Sequence, residues 1–383
     1  MEKKNILVYG ATGSIGDSVF SLLRENKDVF KVTGITCDNN VLKLKKIAEE
    51  FNPNYIGIAD YQKNIEYKKL FPNKKLFFGL NEFVDLMDNQ VDIIILAASG
   101  LAVLDLSLKI MESGKIVGLA NKECIISLGN IFLNIAKKNN TTIIPLDSEH
   151  NAIHQILNKD NNGLKSITLT ATGGPFLNKK ISDLVNISPA EAIKHPIWKM
   201  GKKISVDSAT MMNKSLEIIE AKYLFNLKND EINALIHPEA IVHGLVTYRD
   251  NSMISFMSCP DMKIPISNLL FPNREASLNE LSIDLSEIKT LNFYSIDNDR
   301  FPAIQYCQEV LNLGGLAPCG FNYVNEKLVT LFLENKIRFL DIVQFNINTL
   351  DKFFAKNNNI LYPTTEDINN FNEWIDNNIY LGE

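Results

Sequence analysis

The chain reads as an α/β protein in three parts: an N-terminal doubly wound parallel sheet, a central α+β domain and a C-terminal helical domain. Three observations predict this. An apolar run at residues 5–9 (NILVY) leads directly into GATGSIG and then into helical character over 17–24. Further apolar runs at 32–36, 55–58, 93–98, 116–119 and 142–146 alternate with helical stretches at 42–51, 101–113 and 125–138, the texture of a parallel sheet with crossover helices. After residue 150 the pattern turns β-rich at 166–171, 240–248 and 252–257, and from Ala303 helical periodicity dominates. The expected boundaries are 1–146, 147–273, a polar linker over 274–300, and 301–383.

Composition narrows the partners. At 383 residues the chain exceeds one ordinary core, and 45% hydrophobic with 22% charged residues is a globular balance. A formal charge of −6 offers no general attraction to nucleic acid or anionic lipid, so an anionic ligand must be held by local groups. Cys37, Cys124, Cys259, Cys307 and Cys319 are scattered without CxxC spacing, which argues for reduced thiols rather than a disulfide framework or a zinc ribbon. No apolar run approaches the roughly 18 residues needed to span a bilayer, and Met1 leads straight into the first strand. A cytoplasmic chain without nucleic acid or membrane partners is expected.

The first strand ends in Gly10, Gly13 and Gly16, spaced GxxGxxG, with Thr12 and Ser14 adding hydroxyls. A buried strand, a glycine turn and a helix start form the phosphate end of a Rossmann-type βαβ unit, which predicts dinucleotide binding. Residues 98–100 (ASG) and 121–123 (NKE) fall where parallel strands open onto a ligand crevice, although either suits a solvated connection. The last strand of this half runs into Asp147, Ser148 and Glu149. Taken as extended chain, Asp147 and Glu149 point to one side, and two carboxylates in one cleft call for a cation such as Mg²⁺ or Mn²⁺. An isolated DxE is also common surface decoration, and His150 with His154 reads as an ordinary helical pair without HExxH.

In the central part ATGGPF (171–176) implies a sharp turn, and HPIWKMG (195–201) carries Trp198 and Met200 on a segment suited to a flap. Asp207 and Ser208 are good N-caps for a helix over 209–221. On it Asn213, Glu217 and Glu220 share a face with Lys214 beside them. Ser208, Asn213 and Lys214 near a helix start suit a phosphate, and Glu217 one turn on suits a cation. The same pattern also fits a capped helix whose Met211, Met212, Leu216 and Ile219 pack a core. Helices are expected at 303–313, 321–334, 340–354 and 366–377.

Taken together, GATGSIG, AASG, NKE, LDSEHNAI, ATGGPF, the block from His195 to Glu217, IHPEAIVHG and PDMKIPI closely resemble the 1-deoxy-D-xylulose 5-phosphate reductoisomerase family, collinearly from the first strand to at least Arg274. The resemblance implies a metal- and NADPH-dependent rearrangement and reduction of that phosphorylated sugar to 2-C-methyl-D-erythritol 4-phosphate, by a homodimer. It implies that Asp147, Glu149 and Glu217 bind Mg²⁺ or Mn²⁺. Lys122, Ser148, Thr172, His195, Ser208, Asn213 and Lys214 would hold the substrate with Glu149 and Glu217, under Trp198 and Met262, and Lys122 could assist proton movement. NADPH would contact Gly10, Thr12, Gly13, Ser14, Ile15, Asn121, Glu123 and Gly201. Two departures stand out: Thr172 where relatives commonly have serine, and Asp38-Asn39-Asn40 where they usually have Gly-Lys-Asn. Asn39 and Asn40 can still donate to a 2′-phosphate, whereas an acid after the second strand ordinarily selects the ribose 2′-OH of NADH. A rival reductase or epimerase acting on a phosphorylated sugar without a metal would need a Tyr-x-x-x-Lys pair; Tyr323 and Lys327 form one, far from the dinucleotide half. A non-catalytic dinucleotide sensor would have no reason to keep the three acids and the phosphate-suited group.

Overall fold

Seven short strands make the first sheet of the computed structural model, which describes residues 2–87, 90–159, 162–198, 200–273 and 276–382. They are β1 (Lys4–Tyr9), β2 (Phe30–Cys37), β3 (Tyr55–Ile58), β4 (Lys75–Phe78), β5 (Ile93–Leu96), β6 (Ile116–Leu119) and β7 (Thr142–Pro145). All pair in parallel, in the order β4-β3-β2-β1-β5-β6-β7, so the expected doubly wound sheet is present. The order reverses between β1 and β5, and the loops leaving these two strands therefore open a crevice at their carboxyl ends. β4 was not anticipated, because four residues (KLFF) are too few to display a period.

The chain forms two compact units: Met1–Cys124, Asn130–Asn151 and Asp261–Ser277 in one, Ile125–Gly129, Ala152–Pro260 and Leu278–Glu383 in the other. The first is built on the seven-stranded sheet. Ile6 to Tyr9 and Ile93 to Leu96 are buried throughout, as befits parallel strands covered on both faces. Tyr9 tolerates this because its hydroxyl donates to the Phe83 carbonyl at 2.8 Å. Helix Lys263–Leu270 packs here against helix Ser14–Glu25, and the Phe271 ring meets Phe30 edge-on at 5.2 Å.

The second unit holds a four-stranded sheet of β8 (Leu164–Ala171), β9 (Ile232–Ile236), β10 (Val242–Tyr248) and β11 (Met253–Met257), in the order β11-β10-β8-β9. Pairing is antiparallel except between β8 and β9. β9 (INALI) also goes unannounced in the sequence, since its one polar residue and short length give no clear alternation. Helices Pro302–Leu313, Leu316–Leu333, Asp341–Phe354 and Thr365–Asn378 complete the unit. The second of these starts five residues earlier than expected, because Pro318 sits in the first turn, where a missing N–H costs nothing. Arg274 and Glu275, the start of the expected linker, lie outside the described residues. The stretch near residues 292–294 is tied down: Ile236 and Tyr294 exchange backbone hydrogen bonds at 2.9 Å, and Phe293 stacks on His237 at 4.6 Å.

Two local expectations are corrected. The single helix over 209–221 is two helices, Lys202–Ala209 and Met212–Leu224, so Asp207 and Ser208 lie in the last turn of the first and cap nothing. Between them Met211 adopts a left-handed backbone (φ 60°, ψ 10°), a costly state for a residue with a Cβ. Burial of its side chain with Ala171, Ile236 and Phe301 offsets that cost. Thr210 accepts a hydrogen bond from the Met212 N–H at 3.3 Å and donates to the Val206 carbonyl at 3.1 Å, joining the two helices. The second correction concerns Asp147 and Glu149. β7 stops at Pro145 and helix Ser148–Leu157 begins, so Glu149 lies in a first helical turn and alternation along a strand does not orient it.

Candidate active site

In the first unit, the glycine turn follows β1 at the point where the sheet order reverses. Gly10 has φ +80°, and a Cβ there would lie 2.6 Å from the backbone of Ala97 and Ala98 after β5. Only glycine lets these two turns touch. The Thr36 side chain and carbonyl at the end of β2 accept from the Gly10 and Ala11 N–H groups at 3.1 and 2.8 Å. Helix Ser14–Glu25 then starts with Gly13 and Ser14 exposed, Thr12 and Ile15 half-buried, and its first N–H groups available to a phosphate. Asn121 serves the scaffold: its side chain donates to the Ala98 and Gly100 carbonyls at 2.9 and 3.1 Å and accepts from the Cys124 N–H at 2.9 Å. Glu123, in the first turn of helix Lys122–Leu128, is buried.

Asn40 caps helix Val41–Phe51, accepting from the Lys43 N–H at 3.3 Å, and Asn39 donates to the Asp38 carboxylate at 3.1 Å. Adjacent strands β6 and β7 bring their carboxyl ends together, so Lys122 reaches Asp147 at 3.0 Å with both side chains largely buried. Asp147 also accepts from the Glu149 N–H at 3.3 Å, capping the helix that carries Ser148, whose hydroxyl donates to Glu149. Buried His150 lies 3.8 Å from Asp147. His154 meets the side chain of Asn158, just past the end of that helix, at 3.2 Å, and burial lowers its pKa. Half-buried Met262 precedes helix Lys263–Leu270.

In the second unit, Glu217 is buried on helix Met212–Leu224 one turn from Asn213 and Lys214, both of which donate to its carboxylate. Lys214 is itself buried, so the acid and its cation form a desolvated pair. Thr172 meets His195 at 3.0 Å. His195 Nδ1 accepts from the Ile197 and Trp198 N–H groups at 3.1 and 2.8 Å, so the ring proton sits on Nε2 and is donated to the Thr172 hydroxyl. This fixes the entry to the Trp198 segment, and the Trp198 ring lies 6.4 Å from that of His243. Gly174 (φ +67°) brings the ATGGPF turn against helix Lys202–Ala209, its missing Cβ 2.9 Å from the Ser208 carbonyl. Thr172, His195 and Ser208 thus lie around one turn, while exposed Gly201 begins that helix. No local signal announced Asn325, which donates to buried Asp207 at 2.7 Å from 118 positions away.

Tyr323 and Lys327 do not form a reductase pair poised for chemistry. Both lie on helix Leu316–Leu333 and engage Asp376 of helix Thr365–Asn378, at 3.0 and 2.8 Å. Among the described residues, no helix is long and apolar enough to cross a membrane.

Three family models match this chain: 1-deoxy-D-xylulose 5-phosphate reductoisomerase over residues 6–129, its C-terminal domain over 143–225, and the DXP reductoisomerase C-terminal domain over 257–377. The chain belongs to the 1-deoxy-D-xylulose 5-phosphate reductoisomerase family. Relatives of that name from Clostridium kluyveri and Wolbachia pipientis wMel are 39% and 41% identical over 364 and 355 residues. Those matches cover 92% and 91% of this chain and 94% and 91% of the relatives. A solved family structure in complex with NADPH, fosmidomycin and magnesium superposes with a TM-score of 0.91 at 34% identity, covering 98% of this chain and 97% of the other. The Zymomonas mobilis enzyme in complex with NADPH gives 0.89 at 34% identity, with 97% of both chains covered.

Proposed function

We propose that this protein rearranges 1-deoxy-D-xylulose 5-phosphate and reduces the product with NADPH to 2-C-methyl-D-erythritol 4-phosphate, a step of isoprenoid synthesis that requires a divalent cation. The observation that carries the reading is the presence of the whole polar set, Lys122, Asp147 and Glu149 on one unit and Asn213, Lys214 and Glu217 on the other, in a chain matched along nearly its full length by the family.

Asp147, Glu149 and Glu217 make an all-carboxylate donor set able to hold a metal ion. Hard oxygen donors fit Mg²⁺ or Mn²⁺ and do not suit softer ions. When bound, the cation supplies Lewis-acid stabilisation of charge on the ketone and hydroxyl oxygens, and the nicotinamide supplies the hydride. Ser208, Asn213 and Lys214 hold the substrate phosphate, the lysine contributing a charge-assisted bond. His195, in its Nε2–H form, and Thr172 orient the sugar together with Ser148, and Lys122 beside Asp147 moves or holds a proton at the hydroxyls. Trp198 and Met262 exclude water over the substrate.

Gly10 to Gly16, with Asn39 and Asn40, Asn121, Glu123 and Gly201, serve the dinucleotide. Residues 1–146 are assigned to NADPH, 147–273 to catalysis, 274–300 to a link and 301–383 to support. The same reading makes the protein a cytoplasmic homodimer, which light scattering on the purified chain checks. The decisive experiment follows NADPH absorbance with 1-deoxy-D-xylulose 5-phosphate. Consumption abolished by EDTA and restored by Mg²⁺ or Mn²⁺ is expected; consumption indifferent to EDTA overturns the reading.

A further inference from the structure

The turn after β2 is unfavourable to a 2′-phosphate. The Asp60 N–H donates to the Asp38 carbonyl at 3.2 Å, so two acidic residues stand side by side at the ends of β2 and β3. Burial and these two acids together push the Cys37 thiol up to about 12. The Asn40 side-chain oxygen accepts from the Lys43 N–H as a cap, and the Asn39 amide donates to Asp38.

A cation reaches the glycine turn beside this corner from the adjoining helix. Lys43 Nζ donates to the Thr12 carbonyl at 3.0 Å and pairs with Asp17 at 2.7 Å. It therefore stands over the glycine turn on the β2 side, where the adenosine ribose of a dinucleotide lies in this fold. Lys45 instead pairs along its own helix with Glu49 at 3.3 Å, and Lys46 is exposed on the helix.

We propose that Lys43 is the residue that makes this protein prefer NADPH, exchanging its contact with Asp17 for the cofactor's 2′-phosphate. The inference rests on the proposed dinucleotide site and deepens it. The Asp17 side chain is 61% exposed, so its attraction for Lys43 is weakened by solvent. A phosphate monoester carries up to two charges and three acceptor oxygens, and it competes well against one hydrated carboxylate. Asp17 is thus a holding partner that keeps the ammonium at the turn, and it opposes the phosphate through its own charge.

The test is the dissociation constant of NADPH and of NADH, each read from the quenching of protein fluorescence, with thermal melts of the unliganded protein alongside. Lys43→Gln should weaken NADPH binding roughly tenfold or more while leaving NADH within about twofold. Asp17→Asn should act in the opposite sense, tightening NADPH and not NADH. A Lys43 that merely joins two helices would lower the melting temperature and weaken both cofactors alike, and that result overturns the proposal. So does an unchanged NADPH affinity in both variants. Wild-type protein that binds neither cofactor would instead overturn the dinucleotide site itself.

Discussion

At single residues, charge and hydrogen-bond inventory decide the outcome. Glu217→Gln keeps the shape of the side chain and its place beside Asn213 and Lys214, but removes one anionic donor from the proposed cation set. Metal affinity by calorimetry with Mn²⁺ should fall by more than tenfold, with NADPH affinity nearly intact. Equal metal affinity in the variant would sink the assignment. Lys214→Ala and Ser208→Ala should raise the substrate KM far more than the cofactor KM, and the sugar lacking its phosphate should also lose kcat because remote binding energy orients the reacting end. Unchanged kinetics with the dephosphorylated sugar would refute the clamp. The residues proposed for these roles stood out as motifs, whereas their hydrogen-bond partners did not. The Nε2–H form of His195 follows from two backbone donors on Nδ1, which no spacing reveals. The occupation of Asn121 by the Ala98 and Gly100 carbonyls likewise depends on a loop 21 to 23 positions away.

At the scale of elements, the parallel sheet was readable because buried parallel strands are continuous apolar runs, and the glycine turn because its spacing is tied to a backbone requirement. That requirement is testable. Gly10→Ala puts a methyl 2.6 Å from the Ala97 and Ala98 backbone in a conformation alanine resists, so NADPH binding should be lost together with thermal stability. A variant that binds NADPH normally would show that the turn can relax. The break between the two site-bearing helices was not readable. Breaks are usually announced by Gly or Pro, and residues 202–224 contain neither. Long-range burial of Met211 holds the bend, and Thr210 seals it. Thr210→Val preserves the shape and removes the hydroxyl's bonds to the Met212 N–H and the Val206 carbonyl, so urea unfolding should show a loss of about 1 kcal/mol. A loss near zero would mean that Met211 alone sets the bend.

For the molecule as a whole, the C-terminal helices matched the family by character more than by motif, and their contribution lies in what they hold. In the second unit Cys307 donates to the Ser215 carbonyl at 3.2 Å, Lys222 donates to the Leu311 carbonyl at 3.2 Å, and Asn325 donates to Asp207. All three bonds join the C-terminal helices to the helices that carry Ser208, Lys214 and Glu217. Asp207 is the critical recipient, since its buried carboxylate is satisfied by Lys203 at 2.9 Å and Asn325 at 2.7 Å. Asn325→Ala removes a donor and leaves part of a buried charge uncompensated, which costs on the order of 1–3 kcal/mol. Asn325→Asp replaces the donor with a second carboxylate in the same buried place and should destabilise further. Because Ser208 is the residue next to Asp207, both variants should also raise the substrate KM, and by more than they weaken NADPH, whose proposed site shares only Gly201 with this helix. Calorimetric melts and cofactor titrations give both readouts. A stable Asn325→Asp protein with unchanged KM would mean that the helical region only covers apolar surface and does not position the site.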